Sequence, residues 1–81
     1  MPGTEWDAIL IDRHGETYLI ALPRGALHVL MSDWPTSEGG SYIAAMEACA
    51  GTEEGSVSYG EARAAFLLAA VEAGVYFEGE R

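Results

Sequence analysis

Apolar residues recur at helical spacing in three stretches of this chain and crowd into two strand-like runs near its start. The clearest stretch is the last. Ala62, Ala65, Phe66, Ala69, Ala70 and Ala73 fall at i, i+3, i+4, i+7, i+8 and i+11, one face of a 3.6-residue period. Ser58 and Glu61 ahead of it have the spacing of a capping box, in which each side chain satisfies a backbone N–H of the first turn. Gly74 can take the left-handed conformation that closes a helix. The pattern predicts a helix over residues 59–73. Tyr42, Ala45, Met46 and Cys49 mark a second helical face, starting at Gly40 or Ser41 and ended by Gly55. Gly51 and the pair Glu53-Glu54 weaken its end, since acidic residues oppose the C-terminal dipole. Leu27, Leu30, Met31 and Trp34 predict a first helix from Pro23 to Trp34, with Arg24, His28 and Ser32 on its polar side. Pro23 suits the first turn of that helix, and Pro35 stops it.

The runs Trp6 to Asp12 and Thr17 to Leu22 are rich in β-branched and aromatic residues and flank Arg13-His14-Gly15-Glu16. They predict a β-hairpin, with Gly15 supplying the positive φ of the turn. Alternation sets Trp6, Ala8 and Leu10 against Asp7, Ile9 and Ile11, and Tyr18, Ile20 and Leu22 against Thr17, Leu19 and Ala21. Neither strand is cleanly one-sided, so the pattern leaves open which face meets the helices. Val75-Tyr76-Phe77 is a candidate third strand. The fold expected is α+β: an N-terminal antiparallel β-hairpin, with that C-terminal strand as an optional third, packed against three α-helices. At 81 residues, one small domain over 1–81 is expected.

Charge narrows the classes of partner. Thirteen acidic residues face four cationic ones, for a formal charge of −9 at pH 7. Arg13, Arg24, Arg63 and Arg81 stand singly, whereas a nucleic-acid backbone requires a basic stripe that releases counterions. Anionic membrane surfaces are disfavoured for the same reason. The acidity reads either as solubility or as an acidic face for a basic partner. No apolar run approaches the roughly 20 residues of a membrane span, and the N-terminus lacks the pattern of a signal peptide. Cys49 is the only cysteine, which excludes an internal disulfide and points to the cytoplasm.

Candidate chemistry is sparse. His14, in the hairpin turn, and His28, on the polar side of the first helix, read as solvated surface residues. Asp12 and His14 give at most two ligands of a zinc site that needs three or four. Cys49 shares a helical face with Tyr42, Ala45 and Met46 and reads as a small buried hydrophobe rather than a nucleophile. Gly39-Gly40 and Gly51 do not have phosphate-loop spacing, and a Walker-type loop needs a lysine that this chain lacks. No catalytic, cofactor-binding or metal-binding residues are assigned, and no cofactor is expected. Asp33-Trp34-Pro35 is the most distinctive string. Trp34 reads structurally as the end of an apolar stripe, or functionally as an anchor for a partner. The alanine face of the last helix suits close packing within the chain or a symmetric dimer seam.

Leu30-x-x-x-Trp34-Pro35, then Gly40-x-Tyr42 leading to Ala48-Cys49, a closing Gly55, and Ala62-Arg63-x-Ala65-Phe66-x-x-Ala69-Ala70-x-x-Ala73-Gly74 resembles family 982 among the domains of unknown function. The resemblance spans Leu27 to Val75, about three-fifths of the chain. It implies a short protein of rhizobia and related alphaproteobacteria with a hairpin ahead of its helices. The family has no established activity, so it lends no catalytic or binding residues. Its members place an apolar residue where this chain has Thr52-Glu53, which implies a weakened last turn in the second helix.

The functional expectation is an acidic cytoplasmic module, not an enzyme, that binds another protein or a second copy of itself. The alternative is a small-molecule-binding protein or an enzyme of unknown reaction. The expected docking residues are Asp33, Trp34, Pro35, Glu38 and Tyr42, two aromatics and two carboxylates around the Gly39-Gly40 pair.

Overall fold

The structure is a computed structural model that describes residues 6–13 and 15–79. His14, expected in the hairpin turn, lies outside the described residues. Strands β1 (Ile9–Arg13) and β2 (Glu16–Ile20) are followed by helices α1 (Pro23–Ser32), α2 (Gly40–Glu54) and α3 (Tyr59–Ala73), and the chain returns as β3 (Tyr76–Gly79). The fold is α+β with an N-terminal hairpin, and Tyr76-Phe77 does form part of a third strand.

The sheet has the order β2-β1-β3, with both pairings antiparallel. Ile9 lies opposite Ile20, and Ile11 lies opposite Tyr18 on one side and Phe77 on the other. That register puts the three isoleucines, Tyr18 and Phe77 on one face, because side chains alternate along a strand. Ile9, Ile11 and Ile20 are buried against the helices. The other face carries Leu10 opposite Leu19 and Glu78, and Asp12 opposite Thr17 and Tyr76.

Both hairpin strands sit differently along the chain from the sequence expectation, β1 starting at Ile9 and β2 ending at Ile20. Trp6 precedes β1, where its indole Nε1 donates to the carbonyl of Ile20 at 3.1 Å and its ring lies 6.5 Å from that of Phe66. Leu22 is extended and leads into α1, its carbonyl accepting from the amides of Gly25 and Ala26. Gly15 has φ +80°, as the turn requires.

Helix α1 begins at Pro23 as expected but ends at Ser32, two residues before Trp34. Asp33 leaves the helix at φ −152°, its N–H still donating to the Val29 carbonyl. The buried residues are Pro23, Ala26, Val29 and Leu30, while Met31 is 66% exposed. The expected stripe of Leu27, Leu30, Met31 and Trp34 is therefore rotated. It treated Trp34 as a helical residue, whereas the indole reaches the core from the following loop.

Helix α2 buries Ala45 and Cys49 and half-buries Tyr42 and Met46, the expected face. Its last turn is intact despite Thr52-Glu53 and Glu53-Glu54. Gly55 closes it at φ +83°, with N–H groups of Gly55 and Ser56 returning to Thr52 and Gly51 carbonyls. Gly51 acts as a contact point rather than a weakness: a Cβ there would lie 2.7 Å from Val57 Cγ2. Helix α3 has both halves of its capping box, Glu61 N–H to Ser58 Oγ and Ser58 N–H to Glu61 Oε1, each at 3.1 Å. Ala62, Phe66, Ala69 and Ala70 are buried, and α3 packs most extensively on α2, so the alanine face serves packing within the chain.

Candidate functional site

The segment from Asp33 to Tyr42 leaves α1, turns at Pro35 and enters α2. Asp33 faces the sheet. Arg13 Nε donates to its backbone carbonyl at 3.2 Å, and Arg13 Nη2 donates to Oδ1 at 3.3 Å. The Tyr18 hydroxyl donates to Oδ2 at 3.1 Å. The Asp33 carboxylate, aided by desolvation and by Glu16, raises the pKa of the Tyr18 phenol above its ordinary value. These bonds join the hairpin to the start of the loop.

Trp34 is half-buried, its ring 5.4 Å from that of Phe66 and tilted by 44°. Its Nε1 is buried and finds no acceptor. Pro35 is exposed and turns the backbone away. Thr36 Oγ1 accepts from the Glu38 amide at 3.1 Å, which folds the loop tip back on itself. Gly39 precedes α2 at φ +105°, a conformation that side-chain-bearing residues rarely adopt, and gives the helix no side-chain cap. Tyr42 is half-buried, and its hydroxyl donates to the Leu30 carbonyl at 3.1 Å, closing the loop against α1.

Between this loop and the C-terminal half of α3 lies an open groove of about 430 Å³. The loop side contributes Trp34, Pro35, Glu38 and Tyr42, and α3 contributes Ala69, Glu72 and Ala73. Four of the five residues named from the sequence thus line one concavity, whereas Asp33 is directed at Arg13 and Tyr18. The α3 residues were missed. Ala69 and Ala73 read only as packing residues in the helical pattern, and their small side chains leave room beside Trp34 once α3 packs alongside the loop. Glu72 then lines the same groove as Glu38 from the opposite wall, a juxtaposition that depends on tertiary packing.

The lining combines two aromatic side chains, two carboxylates and an uncapped helix N-terminus, with no cationic side chain among the described lining residues. Such a surface offers apolar contact, acceptors for a cation and backbone donors for a carbonyl. Elsewhere, Cys49 is fully buried, and desolvation raises its thiol from an ordinary 9.0 to about 11. His28 is exposed on α1. Among the described residues no group of three or more His, Cys, Asp or Glu side chains is placed to hold a metal ion. Nor is any described helix long and apolar enough to cross a membrane.

The family model described as a protein of unknown function, DUF982, matches residues 8–77. The chain belongs to this family. The match takes in the hairpin, all three helices and the beginning of β3, so both walls of the groove lie within the DUF982 region. No curated protein and no solved structure matches the chain.

Proposed function

We propose that this DUF982 protein is a non-catalytic interaction module whose groove receives a basic, extended segment of another protein. The lining of the groove supports this reading: Trp34 and Tyr42 beside Glu38 and Glu72, open to solvent and without a competing cation among the described lining residues. An arginine or lysine side chain entering there meets aromatic surface and two carboxylates together. The chain's formal charge of −9 favours approach of a basic partner and disfavours a second copy at the same place. A reducing cytoplasm suits the lone buried Cys49.

The volume of about 430 Å³ also falls within the roughly 300–1,000 Å³ range of small-molecule pockets, which supports a small cation as a second reading. One titration separates the two. Labelled protein is titrated with short glycine-flanked peptides carrying either arginine or its neutral isostere citrulline, and with free guanidinium. The interaction reading expects the arginine peptide alone to shift the amides of Trp34, Glu38, Tyr42 and Glu72. An equal response to free guanidinium favours the small-molecule reading. Equal responses to both peptides, or none, reject a cation-selective groove.

A further inference from the structure

The face of the sheet turned away from the helices is a second, independent surface. The register sets Leu10 on the central strand beside Leu19 on the edge strand β2, with Glu78 across from Leu10 on β3 and Asp12 two positions along β1. Leu10, Leu19 and Tyr76 are 40%, 65% and 60% exposed, so three large apolar side chains face solvent together. Isolated exposed leucines are ordinary, whereas a contiguous group rimmed by polar side chains has the form, on a small scale, of a docking surface. On the strands the flanking charge beside Leu10 is of one sign, while on the far side of Leu19 stand Arg24 of α1, paired with Glu53 at 3.3 Å, and His28. Thr17 Oγ1 donates to Asp12 Oδ1 at 2.8 Å, and Tyr76 Oη donates to Glu78 Oε2 at 3.0 Å. Each bond orients a carboxylate and leaves its second oxygen for a further donor. Among the described residues of the three strands the only cation is Arg13, which alternation places on the opposite face, bonded to Asp33.

We infer that this face docks a basic amphipathic helix of a partner protein, with apolar side chains over Leu10, Leu19 and Tyr76 and cations at Asp12 and Glu78. Size and charge select that occupant. Three strands of about five residues present roughly 15 by 17 Å, on the order of 250 Å². A stable dimer needs about 800 Å² from each copy, so a face this small supports a weak, transient contact with one helix rather than a standing dimer. A helix of about 10–12 Å diameter covers it. A second copy would also set Asp12 and Glu78 against identical carboxylates, whereas a basic helix neutralises them.

The test uses two synthetic helical peptides with the same leucine–alanine stripe, one flanked by lysine and arginine and the other by glutamate. Amide shifts of the labelled full chain are followed during titration at low and high salt, with light scattering on the chain alone. The expected result is saturable shifts at Leu10, Leu19, Tyr76 and Glu78 with the basic peptide only, weakened about tenfold or more by high salt. Asp12→Asn with Glu78→Gln should weaken the same binding by about tenfold while circular dichroism stays unchanged. If the variant unfolds, Leu19→Lys on the exposed edge strand provides the second measurement and should likewise abolish the shifts. Equal response to both peptides, no response, or shifts confined to Trp34, Glu38 and Glu72 would overturn the proposal. So would a dimer in light scattering that Leu19→Lys disperses.

Discussion

Arg13 holds Asp33 at two points, Nε on the backbone carbonyl at 3.2 Å and Nη2 on Oδ1 at 3.3 Å. The residues are 20 positions apart, and the contact fixes where α1 stops and where the Trp34 loop begins. Both side chains are well covered, at 16% and 27% exposure, so water competes only partly for the pair. Asp33 thereby ties the start of the loop to the hairpin.

Asp33→Ala should cost about 1–3 kcal/mol, the range for losing hydrogen bonds to a charged group that is partly buried. Tyr18→Phe, which removes one of those bonds, should cost about 1 kcal/mol. Urea unfolding of both variants and of the double variant checks this. Strictly additive losses would mean that Tyr18 and Asp33 do not interact in solution.

Alkali should destabilise the fold. The Cys49 thiol rises from 9.0 to about 11 through burial, and the Tyr18 phenol rises through its bond to Asp33. Above pH 9 the unfolded chain releases these protons first and binds fewer than the native state, so stability falls as pH increases. The contribution of Cys49 is fully present below pH 9 and is lost as pH passes through 11. Urea midpoints measured across that window should decline, and Cys49→Ala should flatten the decline. A thiol reagent should modify native Cys49 far more slowly than a free small thiol. Modification at the free-thiol rate would contradict its burial.

Gly51→Ala raises helix propensity by about 1 kcal/mol, yet it places a methyl 2.7 Å from Val57 Cγ2. Overpacking of that kind costs about 1–3 kcal/mol. Net destabilisation is the expected result, with recovery in Gly51→Ala combined with Val57→Ala. A more stable single variant would show that Val57 moves aside freely.

Ser58→Ala should cost about 0.5–2 kcal/mol, because it removes one of the two capping-box bonds of α3. Thermal or urea unfolding measures it, and an unchanged midpoint would show that the cap is not populated.

Local signals made α3, the start of α1 and the turn at Gly15 legible in the sequence. Capping box, proline and positive-φ glycine each act within a few residues. The α3 alanines also disclosed their buried face, because a small-residue stripe at helical spacing persists over about three turns. Long-range signals were less readable. The face of α1 was misassigned because Trp34 extends the apolar spacing while Arg13 holds Asp33 out of the helix. Which face of the hairpin is buried was unreadable from two strands with apolar residues on both sides. It follows from the pairing of Ile11 with Tyr18 and Phe77. At the groove, Trp34-Pro35 and Tyr42 stood out by residue type. Glu72 did not, since nothing local relates it to Glu38.

Trp34→Ala is a poor probe of docking, since losing a ring packed on Phe66 should cost about 3–5 kcal/mol of stability. Glu38 and Glu72 are exposed, so reversing their charge leaves the core alone. The central claim, a groove that receives a basic segment, is tested most directly by association kinetics. The partner is recovered from the native host, and its binding rate at low salt is compared for the unaltered chain and for Glu38→Arg with Glu72→Arg. The rate should fall about tenfold or more in the variant, and the gap should narrow at high salt. An unchanged low-salt rate in a normally folded variant would contradict docking at the groove.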